Sequence, residues 1–244
     1  MNNILTTKNL SKNWGGVKAV DELSINISKD KITGIVGPNG SGKTTMINLL
    51  SGLFPPSSGQ IIISDTLRHT VNPDENGIYG LTRTFQQVRI FEQMTVLDNI
   101  LVILTDRAPF SSLFEKHSDL HLAKAEDILK KVGLSEKKHT MGEDLSYGQR
   151  KLLEVARVIA MDTEIILLDE PFAGLFPEMV KKIASFVKEW KHEGKTVVLV
   201  EHNMSLIREL CDHLIVMDAG KLLAEGTPEE VLSRKDVVEA YLGE

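Results

Sequence analysis

The stretch Gly37-Pro38-Asn39-Gly40-Ser41-Gly42-Lys43-Thr44-Thr45 follows the β-branched run Ile32 to Val36 and leads into the helical pattern Met46 to Leu50. It matches Gly-x4-Gly-Lys-Thr in a strand–loop–helix setting, and it constrains the fold more than any other feature of the chain. Glycines let successive backbone N–H groups turn inward around phosphate oxygens, where side chains would obstruct. The helix that follows adds the partial positive charge of its N-terminus, and Lys43 adds a full one toward the β and γ phosphates. The Thr44 hydroxyl can reach a Mg²⁺ ion. Such a loop predicts a site for a nucleoside triphosphate.

Other short apolar runs recur at Ile61 to Ile63, Ile165 to Leu168, Thr196 to Val200 and Leu214 to Met217. Most are continuous rather than alternating, which suits strands buried on both faces of a parallel sheet. Helical patterns such as Lys151 to Met161 and Glu178 to Lys191 lie between them, so an α/β sheet with crossover helices is expected. The first 30 residues differ. There Ile4 to Leu10 and Leu23 to Ile27 read as alternating strands of an antiparallel flank. Thr95 to Leu104, Leu122 to Val132 and Tyr147 to Ala160 read as helices, an insert within the α/β core. The expected organisation is a single domain over 1–244, with core and β flank over 1–90 and 161–244 and the helical insert over 91–160. Lys130-Lys131 and Lys137-Lys138 read as a solvated helix end.

Apolar residues make up 42% and charged residues 25% of the chain, which excludes a disordered or fibrous protein. With 28 basic against 34 acidic residues the net charge is −6, which argues against nucleic acid as the main partner. The longest obvious apolar run, Ile100 to Leu104, falls far short of the roughly 18 residues that cross a bilayer. No basic patch precedes an apolar stretch at the N-terminus, so no signal peptide is expected. The single cysteine, Cys211, reads as a small buried hydrophobe near a helix end, and points to a reducing compartment or to indifference. A cytosolic, soluble protein is expected.

Further residues fall into place around the loop. Asp169 and Glu170 end the apolar run Ile165 to Leu168; beside a phosphate loop the first suits the Mg²⁺ shell and the second the water that attacks the γ phosphate. Leu145-Ser146-Tyr147-Gly148-Gln149 opens a helix, with Ser146 as a plausible cap. His202 follows the run Thr196 to Val200 and Glu201, Gln86 stands in Thr84-Phe85-Gln86, and Trp14 precedes Gly15-Gly16.

In this order the motifs resemble those of ATP-binding-cassette (ABC) ATPases, and the resemblance covers the whole chain. It implies a phosphate-loop core with a mixed sheet, an antiparallel β flank and an inserted helical subdomain. Trp14 would stack on adenine, although core packing is the other reading of that residue. Gly37 to Thr45 would hold the phosphates; Thr44, Gln86 and Asp169 would meet Mg²⁺; Glu170, His202 and Gln86 would act in hydrolysis. Ser146, Tyr147, Gly148 and Gln149 would be offered to the ATP held by a second subunit. Tyr147 departs from the commonest signature, which has glycine there.

The match narrows through Arg83-Thr84-Phe85-Gln86-Gln87-Val88-Arg89, the Tyr147 signature, Val200-Glu201-His202-Asn203-Met204 and the ending Ala240-Tyr241-Leu242-Gly243-Glu244. These look like the ATP-binding subunits of bacterial branched-chain amino acid importers. The resemblance implies separate permease subunits, a second ATPase subunit of the same or a similar kind, a solute-binding protein, and a peripheral place at the cytoplasmic membrane face. A lipopolysaccharide-export ATPase and a soluble iron–sulfur scaffold ATPase are the alternatives; a binding module without turnover fits poorly with Glu170 and His202. One residue departs clearly. After Ala173-Gly174-Leu175, where relatives carry asparagine or aspartate, stands Phe176.

Overall fold

The computed structural model describes residues 3–105 and 119–242, so the last two residues of the expected chain ending lie outside it. The chain divides into two compact units: the described parts of Met1–Arg83, Thr163–Phe172 and Ala184–Glu244 form one, and those of Thr84–Asp162 and Ala173–Ile183 the other.

The first unit begins with an antiparallel sheet. Its spine is β1 (Asn3–Trp14), which pairs with β2 (Val17–Leu23) along its second half and β3 (Asn26–Ser28) along its first. One strand over Leu23 to Ile27 was expected; the structure breaks it after Leu23. Glu22 on β2 and Asn9 on β1 take left-handed φ values of +51° and +47°, bending both strands. At the break the Thr7 hydroxyl donates to Leu23 O (2.9 Å) and accepts from Ile25 N (3.1 Å), satisfying groups that a straight ladder would pair.

β4 (Ile32–Val36) is buried throughout and runs into the phosphate loop, from which α1 (Lys43–Leu50) emerges. β5 (Ser58–Ile63) and β6 (Thr66–Arg68) follow. Ile61 to Ile63 had the look of a parallel strand, but it pairs antiparallel with both β1 and β6. Ile61 and Ile63 are buried whereas Ile62 between them is only half-buried, so this is a one-sided strand. Three isoleucines in a row are too short to reveal the alternation.

β7 (Leu81–Arg83) closes this first portion. The second unit then supplies α2 (Val96–Leu104), α3 (Asp119–Val132) and α4 (Tyr147–Met161), which pack on one another. The Thr95 hydroxyl accepts from Asp98 N (3.1 Å) and caps α2. Lys130, Lys131 and Lys137 are exposed, and Lys138 pairs with Glu126 at 2.6 Å, as a solvated helix end would be.

The rest of the chain alternates: β8 (Ile165–Asp169), α5 (Pro177–His192), β9 (Thr196–Val200), α6 (Met204–Leu210), β10 (His213–Asp218), β11 (Lys221–Gly226), α7 (Pro228–Leu232) and α8 (Lys235–Leu242). The second sheet has the order β11-β10-β4-β9-β8-β7, parallel except for the β10–β11 hairpin. One core joins both sheets of the first unit. Leu5, Ile61 and Ile63 from the antiparallel sheet, with Ile25 from the link between β2 and β3, meet Met46, Ile47 and Leu50 of α1 and Ile35, Val198 and Ile215 of the parallel one. Each such side chain contributes about 1.5–3 kcal/mol on burial, and the sum anchors α1 and the loop before it. The C-terminal ends of β4, β8 and β9 lie side by side, where ligands of open α/β sheets bind.

Candidate active site

The phosphate loop is shaped by close approach. Gly42 has φ +97°, and a Cβ there would come within 2.2 Å of Ala19 O on β2. At Gly37 a Cβ would lie 2.1 Å from Met217 O and 2.6 Å from Ser41 Oγ. The loop is therefore wedged between β2 and the β10–β11 hairpin; Gly220 N, in that hairpin, donates to Ser41 O (3.1 Å). Lys43 reaches back through the loop, with Nζ donating to Gly37 O (2.8 Å), Pro38 O (2.9 Å) and Ser41 Oγ (3.4 Å). Burial pulls its ammonium below the ordinary lysine range, while the nearby Glu170 and Asp169 carboxylates act in the opposite direction. A buried cation within a glycine cradle whose rim, Asn39 and Gly40, is exposed fits phosphate.

Asp169 ends β8 with its side chain fully enclosed. Thr44 stands exposed in the first turn of α1. A carboxylate and a hydroxyl are hard oxygen donors, so the donor set fits Mg²⁺ carried with a nucleotide. Glu170 follows at φ +48°, a left-handed conformation costly for a residue with a Cβ, and its N–H donates to Val200 O (3.0 Å) at the end of β9. The bend presents its carboxylate to His202, whose Nε2 lies 2.9 Å from Glu170 Oε1. Two residues expected separately from sequence thus form one contact.

Trp14 does not belong to the core. It is 46% exposed at the end of β1, edge-on to Phe54 at 5.1 Å, with the Lys12 ammonium 4.4 Å from its ring. Gln86 is exposed and belongs to the second unit, as does the signature. Ser146 caps α4 in a reciprocal arrangement with Gln149: Gln149 N donates to Ser146 Oγ (3.4 Å) and Gln149 Oε1 accepts from Ser146 N (2.9 Å). The Tyr147 hydroxyl donates to Ala173 O (3.3 Å), and its ring lies 3.4 Å from where a Gly174 Cβ would stand. The tyrosine form of the signature therefore rests on the segment that leads to Phe176, which is 82% exposed. Cys211 caps the end of α6, its Sγ 2.9 Å from the Cβ position of Gly34.

Two residues acquire a role only in three dimensions. Buried Glu201 accepts from His202 N (2.9 Å) and Asn203 N (3.1 Å), which fixes the turn that carries His202. Arg83 donates to Asp169 Oδ2 (3.2 Å) and to Ser51 Oγ (2.8 Å). In the sequence Glu201 follows an apolar run and Arg83 stands three residues before Gln86; a charged residue at either place by itself reads as a solvated loop residue.

A parallel sheet carrying this loop, with Asp169 and the Glu170–His202 contact at neighbouring strand ends, defines a phosphate-loop nucleotide-binding protein. The sequence profile described as ABC transporter matches residues 20–173, and one described as branched-chain amino acid ATP-binding cassette transporter matches residues 221–244. The chain belongs to the ABC transporter family. It is 35% identical to the high-affinity branched-chain amino acid transport ATP-binding protein LivG of Escherichia coli (strain K12), covering 99% of this chain and 98% of that one. It is 38% identical to a probable LivG of Methanocaldococcus jannaschii, with the same coverages. A crystal structure of a nucleotide-free ATP-binding cassette from an ABC transporter is 36% identical, with TM-score 0.86 over 99% of this chain and 100% of that one. A dimeric cassette in a post-hydrolysis state bound to ADP and Pi is 26% identical, with TM-score 0.81 over 92% and 98% of the two chains.

Proposed function

We propose that this chain is the ATP-hydrolysing subunit of an importer for branched-chain or related amino acids, a single cassette acting as one of a pair at the cytoplasmic face of the membrane. The observation that carries the catalytic part is the buried Lys43 ammonium inside a glycine cradle, with Asp169 and the Glu170–His202 contact beside it. The names of the full-length relatives support the cargo. No described helix is long and apolar enough to cross a membrane, so permease subunits would supply the path.

Gly37 to Thr45 hold the nucleotide phosphates, Lys43 neutralises their charge, and Trp14 presents a ring to adenine. Thr44, Asp169 and Gln86 would hold Mg²⁺, which when bound would neutralise phosphate charge. Glu170 takes the proton of the attacking water, and His202 holds the Glu170 carboxylate and meets the γ phosphate. Ser146, Tyr147, Gly148 and Gln149 complete the site of the second subunit, so closure of the pair on ATP and reopening after hydrolysis is the working stroke. The dimeric relative supports this pairing.

The test is reconstitution of the chain with its two permeases in vesicles, followed by uptake of labelled leucine, isoleucine and valine driven by Mg²⁺-ATP and a solute-binding protein. Uptake that stops in Lys43→Ala supports the reading. ATP hydrolysis without uptake of any amino acid overturns the cargo.

A further inference from the structure

Arg83 ends the edge strand β7, one strand away from Asp169 at the end of β8. Its side chain is 6% exposed and that of Asp169 1%, so this is an ion pair taken out of water. Removing two charges from water is costly, and such pairs often add nothing to stability. A second bond makes the arrangement specific. The other arm of the guanidinium donates to Ser51 Oγ (2.8 Å), and the Ser51 hydroxyl donates in turn to Ile47 O (2.9 Å) at the C-terminal end of α1. One cation thereby joins the Asp169 carboxylate to the far end of the helix whose first turn carries Lys43 and Thr44.

We propose that Arg83 is a positioning residue that makes divalent-cation binding depend on the nucleotide. The inference rests on the reading of Asp169 as part of a Mg²⁺-ATP site. Two cations act on the carboxylates here: Arg83 pairs with Asp169, and both Asp169 and Glu170 act on the Lys43 ammonium. A divalent ion arriving alone at Asp169 meets a guanidinium held on the same carboxylate, in a buried place where salt screens little. The phosphates of a nucleotide add the negative charge that offsets that cation. Arg83 meanwhile keeps the Asp169 carboxylate from swinging, so that the ion carried in by ATP finds it aimed.

Mn²⁺ is the probe, followed by the electron-paramagnetic-resonance signal of the free ion, with and without a non-hydrolysable ATP analogue. Without nucleotide, Arg83→Gln, which keeps a donor and loses the charge, should bind Mn²⁺ at least about 10-fold more tightly than wild type. Arg83→Lys, which keeps the charge and loses the fork, should stay within about 3-fold of wild type. A folded Arg83→Gln with unchanged or weaker Mn²⁺ binding overturns the proposal. So does Arg83→Lys with binding about 10-fold tighter, since its charge is intact, and that arm remains decisive even if Arg83→Gln fails to fold. Wild type that takes up no Mn²⁺ with the analogue would instead sink the Mg²⁺-ATP reading itself. Wild-type uptake with the analogue, together with nucleotide-free binding that Arg83→Gln leaves unaltered, sinks this inference alone.

Discussion

In the proposed mechanism Glu170 concentrates the chemistry in one side chain. It stands at a strained φ of +48° with its carboxylate on His202. Glu170→Gln keeps the size and polarity of the side chain but removes the base, so ATP should bind while hydrolysis falls by about 10² to 10⁴. Single-turnover kinetics with labelled ATP would show it, and near-normal turnover would remove Glu170 from the mechanism. Cys211 makes a different forecast. Burial first, then the nearby Asp212 and Glu201 carboxylates, push its thiol up to about 12. It should resist iodoacetamide at pH 8 in the folded protein and react at once in denaturant. The sign of the linkage follows: the raised folded value stabilises fully below the unfolded thiol value near 9, and this contribution is lost as pH climbs from there toward 12. Both residues were legible as types in the sequence, Glu170 as an acid after a strand and Cys211 as a small hydrophobe. The left-handed turn that aims Glu170 was not, because backbone strain at a glutamate is imposed by the bond from its N–H to Val200 on another strand.

In the proposed pairing of subunits the contacts belong to whole elements. The helix α4 begins at the capped Ser146, and Tyr147 at its first turn bonds the carbonyl of Ala173. Tyr147→Phe removes that bond, worth about 0.5–1.5 kcal/mol, while leaving the ring against Gly174. Its loss should loosen the Ala173 to Phe176 segment, seen as faster amide exchange there with little change in melting temperature. Phe176, 82% exposed, presents an aromatic ring where the family resemblance implies a polar residue. If it buries apolar area in a dimer, at roughly 25 cal/mol per Å², then Phe176→Asn in the Glu170→Gln background should weaken ATP-dependent dimerisation and leave folding intact. Sedimentation at several concentrations decides this; an unchanged dimer constant returns Phe176 to solvent. The exposure of Phe176 itself was beyond the sequence, since an apolar residue in a loop reads equally as core or as contact.

At the scale of the whole molecule the question is coupling to a permease. Val88 to Met94 line a cleft of about 590 Å³ in the second unit. Phe91 is 43% exposed there, with the Arg157 guanidinium 4.7 Å from its ring and its backbone held at both N–H and C=O by Asn99. The ring is thus displayed on an anchored backbone. Phe91→Asp should keep basal ATPase within a few-fold of wild type, fold normally by circular dichroism, and fail to co-purify with permease subunits. Retained transport would show that the permease binds elsewhere. What the sequence alone determined was the class and the parts: a spaced glycine loop after an apolar run has few other uses, and acids, histidine and signature follow in family order. The parallel core was equally legible, because strands buried on both faces are written as continuous apolar runs. Tertiary structure alone decided which way short runs pair, turning Ile61 to Ile63 antiparallel, and which charges meet, setting Arg83 on Asp169 and Glu201 under His202. The reason is range: local periodicity and spacing are properties of neighbours along the chain, whereas a buried ion pair between residues 83 and 169 exists only once two strands lie side by side.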